Sequence, residues 1–285
     1  IDPNDSIIWC NNGTFLTGKP VIYRIKQNSI ISLNFNLPDN IIGLNNRHLF
    51  GLTRGGTTVS CYSLKTGNEI STFSHSNSII NCLHCVGNKA IITGGSDCAI
   101  CIWKSMNLQL IGSIPSYSLP IVSVFGSSKY DLIVAIDIQH NVFYHSLRNQ
   151  HFIHSFKLHH CPNDANHIIR MTDDPLICIL STTPYNETKS LIEFFDLIGN
   201  RVKVIETDGK VLSFDTISTK SGQNFFFYAN SYKEMYIYET HHFTIIKKIS
   251  ENILPEFVTR IGDNKSLIAI KKITSQQYSF VQYDF

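Results

Sequence analysis

The residues best equipped for chemistry share one stretch, NCLHCVGNKAIITGGSDCAICIW (residues 81–103). Cys82 and Cys85 form one Cys-x-x-Cys pair there, and Cys98 and Cys101 form a second after twelve intervening residues. Four thiolates at that spacing could hold a tetrahedral zinc ion. A second cluster is LHHCPNDANH (residues 158–167), where His159, His160, Cys161 and His167 offer imidazole and thiol donors. Catalytic patterns are missing: there is no nucleophile elbow, no His-Glu-x-x-His and no paired-carboxylate arrangement. GGSDC at Gly94–Cys98 does not fit the elbow. TRGG at Thr53–Gly56 has one Arg where a phosphate-gripping loop needs a charge pair.

Whether those donors converge depends on the elements that carry them. No stretch keeps helical periodicity beyond a few residues. Short Ile/Val/Phe/Tyr runs alternate with Gly, Asn, Asp, Ser and Pro clusters, which predicts an all-β chain. The strands also recur. An aromatic residue or His closes a similar segment at Tyr23, Tyr62, Trp103, His145, Phe195, Tyr238 and Tyr283, at separations of 39, 41, 42, 50, 43 and 45 residues. Taking His145 rather than Tyr144 aligns WKSMNLQLIGSI with HSLRNQHFIHSF without a gap.

A four-stranded unit of about 40–45 residues is the size of a WD-type propeller blade. Seven recurrences predict a single seven-bladed β-propeller of WD-repeat type over residues 1–285, centred on those seven positions. Phe195–Asp196 and Tyr283–Asp284 keep traces of the Trp-Asp dipeptide. Blade one is expected to lack its inner strand and blade seven its outer one. A β-sandwich with coincidental spacing is the alternative.

Blade three resembles the WD-repeat hydrogen-bond tetrad. His75 precedes its innermost strand, Thr93 lies on the second, Asp97 sits in the next turn, and Trp103 ends the third. Indole N–H, hydroxyl, imidazole and carboxylate joined in series would each have a partner, as burial requires. The role is structural, and Asp137 in the diverged blade four is expected to matter less than Asp97. In this frame Cys82 and Cys85 fall on the inner strand, and Cys98 and Cys101 on the third. Residues three apart on a strand point to opposite faces, so neither pair chelates one ion. All four read as buried free thiols. The turn formers Pro162, Asn163 and Asp164 account for the His-rich loop, so neither a metal nor a cofactor is expected.

Composition narrows the partners. The chain has a net charge of +2 and is 16% charged, against roughly 25% in an average soluble domain. No Lys/Arg run could track a phosphate backbone, so nucleic acid is not an expected partner. Apolar runs of four to six residues are too short for a spanning helix, and no direct membrane insertion is expected. The eight cysteines sit mostly in apolar runs, as free thiols do in reducing compartments, which points to the cytoplasm. The absence of an initiator Met predicts a piece of a longer protein.

One run goes further than a generic repeat. In SSKYDLIVAIDIQHNVFYHSLRNQHFIHSFKL (residues 127–158), DLIVAID, FYHSLRN and FIHSF resemble a blade of BEACH-domain proteins. LIEFFDLIGNRV (Leu191–Val202) is similar to a later segment of the same family. The resemblance covers about residues 75–206 and departs at Ala135, Gln139 and His140, where Ser and Asp-Gly would stand. It implies a non-enzymatic protein-interaction scaffold, a C-terminal propeller behind an upstream BEACH domain in the same chain. Such proteins act in vesicle and membrane trafficking, peripheral on vesicle or organelle membranes through the rest of the chain. A WD-repeat subunit of another complex is the alternative, as is a propeller enzyme with an axial site, which would need converging carboxylates.

In a propeller, variable chemistry is confined to loop faces. The loops between blades and those between second and third strands open on one face. On it the sequence places Tyr117, His159, His160, Tyr185 and Tyr232 as candidate partner-binding residues. Their amphipathic rings suit interface anchoring.

Overall fold

The structure is a computed structural model. It describes residues 7–11, 14–17, 21–24, 29–32, 40–45, 47–53, 55–75, 78–115, 117–159, 161, 164–182, 189–218, 221–250, 255–261, 266–274 and 277–284. Every regular element among them is a β-strand.

The strands form successive antiparallel meanders. The first sheet holds β1 (Ile7–Asn11), β2 (Thr14–Thr17), β3 (Val21–Arg24) and β4 (Ser29–Ser32). The second holds β5 (Asn40–Leu44), β6 (His48–Leu52), β7 (Thr58–Ser63) and β8 (Glu69–Ser74). The third holds β9 (Ile80–Val86), β10 (Ala90–Gly95), β11 (Ile100–Lys104) and β12 (Leu110–Ile114). The fourth holds β13 (Ile121–Ser127), β14 (Leu132–Asp137), β15 (Asn141–Ser146) and β16 (Phe152–Lys157). The fifth holds β17 (Asn166–Met171), β18 (Ile177–Thr182), β19 (Leu191–Phe195) and β20 (Arg201–Glu206). The sixth holds β21 (Val211–Ser218), β22 (Asn224–Asn230), β23 (Glu234–Glu239) and β24 (Thr244–Ser250). The seventh holds β25 (Pro255–Ile261), β26 (Ser266–Thr274) and β27 (Gln277–Asp284).

All seven repeat positions, from Tyr23 to Tyr283, lie on the third strand of their sheets. The first sheet is four-stranded, which corrects the expectation of a missing inner strand. The seventh has three strands among the described residues.

Burial explains the strand compositions. Second strands such as LIVAID (β14) and NFFFYAN (β22) are buried at every position. Outer strands such as β12, β16 and β24 are mostly exposed. Successive residues of a second strand face opposite neighbours. Ile91 packs with Phe50, Val59 and Phe73 of the second sheet, whereas Ile92 packs with Ile121 and Ile133 of the fourth. Each such side chain contributes roughly 1.5–3 kcal/mol, so a strand covered on both faces needs a continuous apolar run. The sheets also approach closely: a Cβ at Gly94 would stand 2.5 Å from Ile121 Cγ2.

The chain divides into two compact units. Residues 33–163 carry the second, third and fourth sheets, and residues 1–32 with 164–285 carry the rest. Within the first of these, β9 runs beside β5 and β13. Within the other, β21 runs beside β17 and β25, and β25 also lies beside β1.

Candidate functional site

The loop ends of the sheets are shaped by buried polar groups, most completely in the third sheet. Trp103 Nε1–H donates to Thr93 Oγ1 at 2.8 Å. Thr93 Oγ1 lies 2.5 Å from His75 Nε2. His75 Nδ1 is 3.2 Å from both Asp97 carboxylate oxygens. A carboxylate only accepts, so Nδ1 carries the proton, Nε2 accepts, and the Thr93 hydroxyl donates to it. His75, Thr93 and Trp103 are buried, and the Asp97 side chain is 20% exposed. Gly95 makes room for the pair: a Cβ there would stand 2.8 Å from Asp97 Oδ1 and 2.9 Å from His75 Nδ1.

The fourth sheet solves the same problem with other residues. His145 occupies the position of Trp103, and its Nδ1 donates to the Gln150 carbonyl at 3.2 Å. Its Nε2 therefore accepts from the Tyr117 hydroxyl. The Tyr117 ring also packs on Phe143 at 4.5 Å between centroids. Tyr117, a candidate for a partner-binding rim, is half-buried here, with its ring on Phe143 and its hydroxyl on His145. Asp137, expected to matter less than Asp97, is 2% exposed. It accepts from Gln139 N and Asn141 N, both at 2.9 Å, and from Asn141 Nδ2 at 2.7 Å. It is the better-bonded of the two.

His145 also sets a pH dependence. Burial holds its pKa below the usual 6.5, with the Gln150 carbonyl working the other way. Burial and then Arg47 lower His48 similarly. An imidazole that resists protonation only when folded gives full stability above the unfolded pKa and loses it as pH falls below. Urea midpoints are expected to fall between pH 7 and pH 5, above the usual carboxylate range. In His145→Asn that slope should be shallower, His48 supplying the remainder. An unchanged slope would assign the dependence elsewhere.

The cysteines of the opening stretch part company. Cys82 and Cys85 lie on β9 and Cys101 on β11, as expected, but Cys98 sits in the preceding turn at φ 60° rather than on the strand. Cys82 Sγ approaches the Gly94 carbonyl (3.7 Å), Cys98 Sγ the Ser96 carbonyl (3.7 Å) and Cys101 Sγ the Ser113 hydroxyl (3.9 Å). Burial pushes the Cys82 and Cys85 thiols up to about 12, far from the reactive thiolate range.

Of the other rim candidates, His159 and Tyr232 are exposed, whereas His160 and Tyr185 lie outside the described residues. Tyr232 tips the β22–β23 turn, whose shape Asn230 fixes by accepting from Tyr232 N at 3.1 Å and Glu234 N at 3.0 Å. His159 lines a polar cavity of about 480 Å³, with His140, Lys157 and Cys161. His167 is not in that loop: it is buried on β17, with Nδ1 3.0 Å from Ser181 Oγ.

A second cavity, of about 470 Å³, opens at the other ends of the fifth and sixth sheets, where first strands turn into second and third into fourth. Leu176, Ile198, Val202 and Phe243 line it, with Asp174 and Asp196. Ile198 is 63% exposed and Val202 48%. Thr240 Oγ1 donates to Asp174 Oδ2 at 3.1 Å. Burial works against the Asp196 charge. Hydrogen bonds from the Asn200 amide and the backbone of Asn200, Ile198 and Gly199 outweigh it and hold the carboxyl below its usual range. No Lys or Arg lines the cavity. Loop-face reasoning from the sequence missed this site because it weighed aromatic residues in the opposite set of loops. The signal was DLIGN (196–200), an Asp-capped turn that leaves an Ile at its tip.

No protein-family model and no curated protein matches the chain. Solved structures do. The crystal structure of BBS1N in complex with ARL6DN, soaked with mercury, aligns with a TM-score of 0.70 at 13% identity, covering 100% of this chain and 95% of that one. The lead-soaked form gives 0.71 at 12% identity, with the same coverage. BamB from Moraxella catarrhalis gives 0.61 at 11% identity, covering 95% of this chain and 81% of that one. Identities this low speak to fold alone. With its repeated antiparallel meanders and propeller neighbours, the chain has a propeller-type fold.

Proposed function

We propose that the chain is a non-enzymatic protein-interaction module, a seven-bladed propeller of WD type that docks a partner segment on the fifth and sixth sheets. The observation that carries this reading is the cavity lined by Ile198, Val202 and Phe243. A solvent-facing aliphatic cluster beside two carboxylates, with no lining cation, complements an aliphatic side chain next to Lys or Arg. The neighbour BBS1N being solved with ARL6DN supports a protein as occupant. Peptides selected on the whole chain from a random library should be enriched in Leu, Ile or Phe adjacent to Lys or Arg. Ile198→Asp should weaken the selected peptides at least about tenfold, whereas His159→Ala with Tyr232→Ala should leave them unaffected. Peptides indifferent to Ile198→Asp but lost in the double variant would return the docking site to the other loop face.

The resemblance of DLIVAID, FYHSLRN and FIHSF supports a narrower reading, a BEACH-type trafficking scaffold working in the cytoplasm against vesicle or organelle membranes. The coding sequence upstream of Ile1 tests it: a BEACH domain there upholds the reading, and a different domain removes it.

A further inference from the structure

We propose that one loop face of the second, third and fourth sheets docks electrostatically on a membrane surface rich in anionic lipid headgroups. The docking is independent of the apolar groove and of any upstream domain. The chain's net charge of +2 conceals an uneven distribution. Within the compact unit of residues 33–163, Arg47, Lys65, Lys89, Lys104, Lys129 and Arg148 stand on one face, where first strands turn into second and third into fourth. All six are exposed, the Arg148 side chain to 82%. Two carboxylates share the face, Glu69 and Asp131. Asp131 is engaged by its own hairpins, accepting from Ser146 Oγ at 2.8 Å and Arg148 N at 2.9 Å. Among the described residues the opposite loops of these sheets carry Asp97 and Asp137, with Lys157 at the end of β16.

The turns that carry the cations are laced together. Leu64 N donates to the Arg47 carbonyl at 2.8 Å, Ser105 N to the Lys89 carbonyl at 3.1 Å and Leu147 N to the Asp131 carbonyl at 3.2 Å. Each bond joins the two turns of one sheet. Between sheets, Asn45 Nδ2 donates to Ser105 Oγ at 3.3 Å. A Cβ at Gly126 would stand 2.7 Å from Val86 Cγ2, so β9 and β13 end side by side. The cations therefore sit on short hairpin tips spread over three sheets, which suits a plane. A nucleic-acid strand calls for aromatic platforms or an element that enters a groove. The exposed neighbours here are instead Thr66, Asn88, Asn107 and Asn149. Met106, two residues from Lys104, is 71% exposed, an apolar tip that fits a bilayer interface better than a phosphate backbone. Each Lys or Arg close to an anionic bilayer raises affinity about fivefold.

Flotation of the whole chain with vesicles tests this, with phosphatidylcholine alone or with phosphatidylserine at roughly one lipid in three. The chain should float with the phosphatidylserine vesicles only. It should be released as salt approaches roughly 1 M, where the screening length falls to about 3 Å. Lys65→Glu, Lys89→Glu and Lys104→Glu combined should weaken binding at least about tenfold, with unchanged circular dichroism. Lys157→Glu, Lys203→Glu and Lys247→Glu combined alter the net charge equally at exposed positions off this face. That variant should bind within about twofold of wild type. No flotation with phosphatidylserine, flotation that resists salt, or equal loss in the two triple variants would each overturn the proposal. Polyuridylate RNA bound more tightly than the vesicles, and lost in the first triple variant, would overturn it in favour of nucleic acid.

Discussion

Thr93→Val is expected to destabilise the protein by about 2–4 kcal/mol, the largest loss from any near-isosteric substitution in the third sheet. The hydroxyl stands between two buried groups, accepting from Trp103 Nε1 and donating to His75 Nε2. Valine keeps the volume and removes both links at once. An indole N–H and an imidazole nitrogen are then stranded in a buried site, and each buried polar group without a partner costs about 1–3 kcal/mol. Thr93→Ser restores the hydroxyl and should recover most of the loss. Urea unfolding followed by tryptophan fluorescence checks this. The emission of Trp103 in the folded state should also shift as its N–H bond disappears. A Val variant as stable as the Ser variant would mean that the series of four does not hold the turn.

Asp137→Ala is expected to cost about 3 kcal/mol, and Asp97→Ala about 1–2 kcal/mol. Asp137 satisfies two backbone N–H groups and a side-chain amide from a site 2% exposed. Asp97 has its His75 contacts and one backbone N–H, Ala99 at 3.3 Å, and its side chain is 20% exposed. Water can replace part of what Asp97 supplies and little of what Asp137 supplies. Parallel unfolding curves of the two variants decide it. The reverse order would show that the imidazole link outweighs the turn.

The sequence and the structure part at instructive places. The third-strand positions were legible because each is set by one backbone slot recurring with every meander, a slot that buries the rings of Trp103, His145, Phe195 and Tyr238. The tetrad was legible because its residue types are unusual in an apolar run. Tyr117 was not: a tyrosine between Ser and Ser in a linker looks solvated, and its half-buried place comes from Phe143 and the His145 nitrogen across the sheet. Cys98 was misplaced by two residues of strand, since the turn's left-handed φ falls on a cysteine instead of a glycine. The groove of Ile198 escaped because its lining comes from three separate turns, and the DLIGN turn that signals it carries no aromatic residue.

The side-by-side placement of β1 and β25 has a consequence for how the polypeptide matures on the ribosome. The unit holding both ends cannot be finished until the last strands have been made, whereas residues 33–163 contain all of theirs. At about 5–20 residues per second, the opening 32 residues wait roughly 10–50 s for their neighbours. During that interval the middle sheets are free to consolidate, and the leading segment presents unpaired strand edges to whatever is nearby. A nascent-chain protease experiment would then see residues 33–163 become resistant before residues 1–32, although the latter are made first.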